Sequence, residues 1–462
     1  MKLFLSKNKR LIFAISFHAI LTVWILAYFI SRKVTVPFVD DWLLVPWGTG
    51  QASYDWSHFI EHLNGHQHNL VKLYSWFLGY FLHFNLFTSA LIGTCIGSVG
   101  YFLLIWSQLR RLQLTKFQFL FSFMGLSLAV LSWRQMQNFF MIICFPWMMS
   151  VLAIGIFYWI RYNYDGLQAR LLTYLIITLA PMTNALGLVV PIAFFIESFF
   201  ICFKYRQIKG EQVLNMFLAF LSICFSFIYP VLSHGQALKN NYDSAFSIIE
   251  LIQRQFVPAV KFLFAAMGQP FVMWSPVSVG SAAILGILST LLLFGVIYSD
   301  KTGKRWEDFI MNKTSSMVGL VYVLLFFLAR FKGLGPEGSI EPRYTTASLV
   351  FLVGVAISIL YPEKTRNYVV ALIFLCGIYL HWKGTPIGRG YYETRYAQTV
   401  TIEKCFQEKV KMEGVDFLNK DLDLEDPCMQ KLNPGDWLNS NDYLHWANGL
   451  RKNHQAFFQK LK

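Results

Sequence analysis

"KRLIFAISFHAILTVWILAYFISRK", Lys9 to Lys33, decides what kind of chain this is. The uncharged run from Leu11 to Ile30 is long enough to cross a hydrocarbon core, follows Lys2, Lys7, Lys9 and Arg10, and is not followed by a small-residue cleavage site. It predicts an uncleaved anchor with its N-terminus in the cytoplasm. The rest of the chain repeats the pattern. Of 462 residues, 55% are hydrophobic, 17% aromatic and only 14% charged, more apolar surface than a soluble domain can hide.

The net charge of +14 raises the possibility of nucleic acid, but its position excludes that partner. Lys and Arg cluster between apolar runs: Arg110, Arg111 and Lys116; Arg161 and Arg170; Lys204, Arg206 and Lys209; Lys301, Lys304, Arg305 and Lys313; Lys364 and Arg366. Read as cytoplasmic loops, they delimit spans near residues 87–108, 117–132, 139–160, 170–184, 186–203, 212–230, 277–298, 316–331, 345–361 and 367–382. With the first run these make about eleven transmembrane helices and place the C-terminus outside. The fold class expected is an all-α polytopic membrane protein.

Two amphipathic stretches, 55–85 and 245–269, mix aromatic, basic and apolar residues, and are expected to lie in the outer interface as juxtamembrane helices. The chain thus divides into a transmembrane module, 1–382, whose first outer loop is 31–86, and a small, mostly helical appendage, 383–462. Five cysteines fall in apolar segments, where a thiol packs as a small hydrophobe. Cys405 and Cys428 lie in the polar tail and form a disulfide candidate if it faces an oxidising compartment.

The outer loops gather carboxylates and cations. "TVPFVDDWLLVP" (Thr35–Pro46) places Asp40 and Asp41 directly after the first span; His58, Glu61, His62, His66, His68 and Lys72 follow, then Arg134, then Lys239 and Asp243, then Arg330, Lys332, Glu337, Glu341 and Arg343. A carboxylate that takes a hydroxyl proton beside arginines that hold a phosphate leaving group suits glycosyl transfer from a lipid phosphate. Each element also has a plainer reading. Paired aspartates outside a span are often solvated, arginines at span ends are often snorkelling anchors, and the histidines lack a metal-ligand pattern. No metal or other cofactor is assigned, and divalent-ion dependence is left open.

Four separated stretches resemble bacterial glycosyltransferases of the GT-C class: "VPFVDDW" (36–42), "HLNGHQHNLVKLYSWFLGYF" (62–81), "SWRQMQNFFMIICFPW" (132–147) and "ARFKGLGPEGSIEPRYTTASL" (329–349). Over most of residues 1–385 the order and spacing are similar, in particular to serotype-converting glucosyltransferases that modify O-antigen, although "HQHNL" departs where many members carry a more basic residue. The tail resembles no family we can name. The resemblance implies that Asp40 is the general base and Asp41 its acidic neighbour. It implies carrier-phosphate binding by Arg330, Arg343 and Tyr344, and acceptor or sugar contacts by Arg134, Gln137 and Asn138, with His66, His68 and Lys72 beside them.

The implied partners are a polyprenyl-phosphate-linked sugar, a surface glycan acceptor such as lipopolysaccharide O-antigen, the lipid bilayer, and an upstream flippase and donor-synthesising enzyme. A Gly-rich nucleotide turn is not evident and the cytoplasmic loops are short, consistent with a lipid-linked donor. A flippase or transporter of a lipid-linked glycan is the competing reading, and a glycan polymerase or ligase a third.

Overall fold

The computed structural model describes residues 9–37, 39–52, 69–183, 185–205, 210–233, 252–272, 278–299, 317–328, 331, 335–341, 344–413, 421–432, 440–453, 455–456 and 458. Among them there are helices and turns and no strand. The longer helices are α1 (Lys9–Ser31), α2 (Asn69–Leu82), α3 (Leu86–Leu109), α4 (Lys116–Val130), α5 (Phe145–Asn163), α6 (Leu167–Leu179), α7 (Val189–Tyr205), α8 (Gly210–Ser233), α9 (Phe256–Gly268), α10 (Ser278–Ser299), α11 (Met317–Leu328), α12 (Thr345–Ile359), α13 (Arg366–Glu413) and α14 (Ser440–Lys452). Six segments are long and apolar enough to cross a membrane: α1, α3, Lys116–Phe140, Ile142–Asn163, Ser278–Gly295 and α13. Where the other five expected spans lie, the described residues form the apolar helices Leu167–Met182, Val189–Cys202, Gly210–Phe225, Met317–Leu328 and Thr345–Ile359.

The outward faces are apolar, as a lipid-facing surface requires. Ile20 and Val23 on α1, Leu171 and Leu175 on α6, Leu288 and Leu291 on α10, and Leu372 and Leu375 on α13 are all exposed. Inside, small residues let helices close on one another. A Cβ on Gly377 of α13 would stand 2.1 Å from the carbonyl oxygen of Gly125 on α4, so those backbones touch. Polar side chains tie the core across three helices. The His18 Nε2–H donates to the Ser98 carbonyl at 3.0 Å, which leaves Nδ1 to accept from the Ser127 hydroxyl at 3.0 Å. Thr22 joins the same group through Ser98, at 2.6 Å.

The two ends of the bundle differ in chemistry. At one end the basic clusters gather: Arg366 donates to the Gln113 carbonyl at 3.0 Å, Arg110 to Asn163 at 2.5 Å, and Arg161 pairs with Glu197 at 2.5 Å. At the other end lie the C-terminus of α1, the N-termini of α3, α5 and α12, and the turns Trp133–Gln135, Met136–Phe140 and Ile142–Cys144. Those turns move the helix expected from residue 139 to a start at Phe145, where Pro146 occupies the first turn and lacks only a donor that would be unpaired there anyway. Irregular backbone at this depth is tolerated because protein covers it: Ile142, Ile143 and Cys144 are buried.

Of the stretch 55–85, the described part is α2, at 14 residues about 21 Å long and too short to span. It buries Lys72, Ser75, Leu78 and Gly79 and exposes Leu73, Trp76, Phe77, Tyr80 and Phe81, an aromatic face suited to an interface. In the stretch 245–269, α9 instead packs along α10, where a Cβ on Gly268 would meet the Ala282 carbonyl at 2.0 Å.

The change of composition near residue 383 falls inside α13, whose 48 residues run without a break for about 72 Å, more than twice a hydrocarbon core. The described remainder of the tail folds back on this helix and on the loop after α1. Cys405 and Cys428 are disulfide-bonded. Gln455 donates to the carbonyls of Gly48 and Gly79 at 3.1 and 3.0 Å, and Gln51 donates to the His445 carbonyl at 2.7 Å. The appendage is therefore tied to α2 and the loop before it.

Candidate functional site

Asp40 and Asp41 open a short 3-10 turn, Val39–Leu44, that leads into the helical turn Val45–Thr49. Asp41 is buried and its Oδ1 accepts the Ile143 N–H at 3.0 Å; Asp40 is half-buried. The loop is anchored from behind. Trp42 is wholly buried, the Ser75 hydroxyl donates to the Leu44 carbonyl at 2.6 Å, and the Lys72 ammonium rests 4.6 Å from the centre of the Trp47 ring. Tyr74 stacks on Phe145 at 3.7 Å. A small cavity beside Asp41 is lined by Val34, Val36, Leu86, Ala90, Phe140 and Tyr392.

The stretch 132–147 then joins the start of α12. Asn138 donates to the Thr346 hydroxyl at 2.9 Å, Thr346 donates to Gln135 at 2.7 Å, and Gln135 donates to the Tyr101 hydroxyl at 3.0 Å. Arg134 donates to the carbonyls of Gln269 and Pro270 at 2.9 and 2.8 Å, while Gln269 donates to the Thr345 hydroxyl at 2.6 Å. Tyr344 is buried against Phe326 and Trp147, ring centres 4.4 and 5.6 Å away.

The described parts of all four stretches of the resemblance thus meet at one end of the bundle. Within that assembly the expected residues differ in availability. Arg134 and Asn138 spend side-chain donors on protein groups, Lys72 and Tyr344 are buried in aromatic surroundings, and Gln137, half-buried, is hydrogen-bonded to Tyr391. Arg330, Arg343, His66 and His68 lie outside the described residues.

Residues that the sequence reading left in the tail also reach this end. The stretch "GRGYYETRY" (388–396) lies on α13 just beyond its apolar part. Gly388 packs on the Trp133 carbonyl, Tyr392 donates to the Arg32 carbonyl at 2.7 Å and lines the Asp41 cavity, and Arg395 lies over the Tyr391 ring. Arg389 lies over the rings of Trp24, Tyr28 and Trp133, and Glu393 accepts from the Tyr28 hydroxyl at 2.8 Å. A signal for them was present. Arg389, Tyr392, Glu393 and Tyr396 recur at helical spacing and form one stripe, legible once α13 is known to continue past residue 383.

No protein-family model matches this chain, and neither a curated protein nor a solved structure matches it.

Proposed function

We propose that the chain is an integral-membrane glycosyltransferase of GT-C type that moves a single sugar, a hexose such as glucose, from a polyprenyl phosphate to a surface glycan such as O-antigen. The reading places about eleven spans in a bacterial inner membrane, with the N-terminus cytoplasmic and the C-terminus periplasmic. One observation carries it: Asp41, at the head of the loop after α1, accepts the Ile143 amide of the stretch 132–147 and shares a cavity with Tyr392 of α13. Asp40, the more accessible carboxylate, takes the proton of the acceptor hydroxyl as that oxygen attacks the anomeric carbon. The carbon–oxygen bond to phosphate breaks, its electron pair leaves with the polyprenyl phosphate, and the anomeric centre inverts. Asp41, buried on the Ile143 amide, positions its neighbour. The phosphate contacts expected of Arg330, Arg343 and Tyr344 complete the reading, with the upstream flippase and donor-synthesising enzyme as partners.

The flippase reading has one observation of its own. Glu197 is buried on α7 and paired with Arg161 at 2.5 Å, an ionisable pair that a transporter could use at the basic end of the bundle. Mass spectrometry of surface glycan separates the two. An enzyme changes the glycan by one hexose, and Asp40→Asn abolishes that change while donor binding persists; a glycan modified to the wild-type extent by Asp40→Asn refutes the proposed base.

A further inference from the structure

Two guanidinium groups rest on a single tyrosine where α1 and α13 leave the apolar zone. Arg32 lies 4.5 Å and Arg389 lies 5.2 Å from the centre of the Tyr28 ring. Arg389 is held further by Trp24 at 5.2 Å and Trp133 at 5.0 Å, so aromatic rings from two other elements enclose it. Among the described residues a single carboxylate serves the pair. Glu393 accepts from the Tyr28 hydroxyl and stands 3.8 Å from Arg32, but no ion pair or hydrogen bond to Arg389 occurs among the described residues, and its Nε is buried without an acceptor.

The height of this cluster follows from its neighbours. Tyr379 and Trp382 are exposed on α13, and Trp24 is exposed on α1, as in an aromatic belt at the edge of a bilayer. Arg389 stacks on Trp24 itself, so its guanidinium lies at the level of that belt, where lipid headgroups sit. An ordinary snorkelling arginine extends freely into water; this one is stacked and fixed, and its planar fork suits a planar or tetrahedral anion. The cluster carries two cations and one carboxylate, so one further negative charge completes it.

We propose that Arg389, with Arg32 beside it, binds the phosphate of a membrane-anchored lipid at the outer mouth of the bundle. The site lies on the α13 segment whose Tyr392 lines the Asp41 cavity, yet it stands whether or not the transfer reaction does. Lipid phosphate comes from two sources, a polyprenyl phosphate or bulk anionic phospholipid, and both are tested.

The purified full-length protein in detergent is titrated with a long-chain polyprenyl phosphate or with phosphatidylglycerol, and bound lipid is counted by native mass spectrometry. Arg389→Gln lowers adduct occupancy about tenfold, the effect of removing one charge-assisted contact, while Arg170→Gln at the opposite end leaves it unchanged. Loss confined to polyprenyl phosphate assigns the site to the carrier; equal loss of both lipids assigns it to bulk phospholipid. Unchanged occupancy in a folded Arg389→Gln overturns the proposal. If that variant does not fold, Glu393→Gln decides: removing the competing carboxylate raises occupancy several-fold, and unchanged occupancy overturns the proposal equally. Asp40→Asn keeps wild-type occupancy, so a failure of transfer and a failure of lipid binding are read separately.

Discussion

Asp41 and Ile143 meet across 102 residues of chain: the carboxylate oxygen accepts the backbone amide at 3.0 Å and fastens the loop after α1 to the turn ahead of α5. That bond divides the labour of the acidic pair, since Asp41 is enclosed and Asp40 is not. Asp41→Ala leaves the Ile143 amide without this acceptor and costs about 1–3 kcal/mol of stability. Asp40→Asn leaves the thermal transition near wild type. Equal thermal shifts in the two variants contradict the division.

The contact of α4 with α13 makes Gly377 sensitive to any side chain. A methyl group there would overlap the Gly125 carbonyl, so Gly377→Ala forces the helices apart and costs on the order of 1–3 kcal/mol, whereas Gly390→Ala, with open space around it, costs far less. Thermal denaturation in detergent compares the two.

His18 works as a polar tie rather than as a reactive group. Both ring nitrogens are engaged, so His18→Ala removes two buried cross-helix hydrogen bonds and lowers stability by about 1–2 kcal/mol. Transfer activity measured below the shifted transition stays at the wild-type level. A selective loss of activity at full stability would show that the imidazole has a chemical role.

The Cys405–Cys428 bond closes a 23-residue separation next to the tail's small core, where Phe406 meets Phe458 at 5.2 Å. Its loss through Cys405→Ser removes about 3 kcal/mol from the tail. The measured consequence is faster proteolysis of residues beyond 413, and non-reducing peptide mapping of the wild type recovers the linked pair.

Topology is checked by labelling. The tail is tied to the loop after α1 and Lys364 lies by the basic end, so the proposed topology puts Asn453→Cys and Lys364→Cys on opposite sides of the membrane. An impermeant maleimide applied to intact cells labels the former, and the latter only after the inner membrane is opened. Labelling of both in intact cells rules out the orientation.

Much of this was legible along the chain. Hydrophobic run length and interrupting charge determined that the protein is helical, that its helices are apolar on the outside, and that Arg110, Arg161 and Arg366 share an end, because these follow from the cost of placing backbone and charge in hydrocarbon. Only the tertiary structure decided that Asp41 faces Ile143, that Arg134 and Asn138 are turned onto protein partners, and that "GRGYYETRY" returns from the tail to the first helix. Periodicity specifies which face of a helix is buried but not which partner buries it. Nor does it mark where a span stops being a membrane helix and continues, unbroken, as a helix in water.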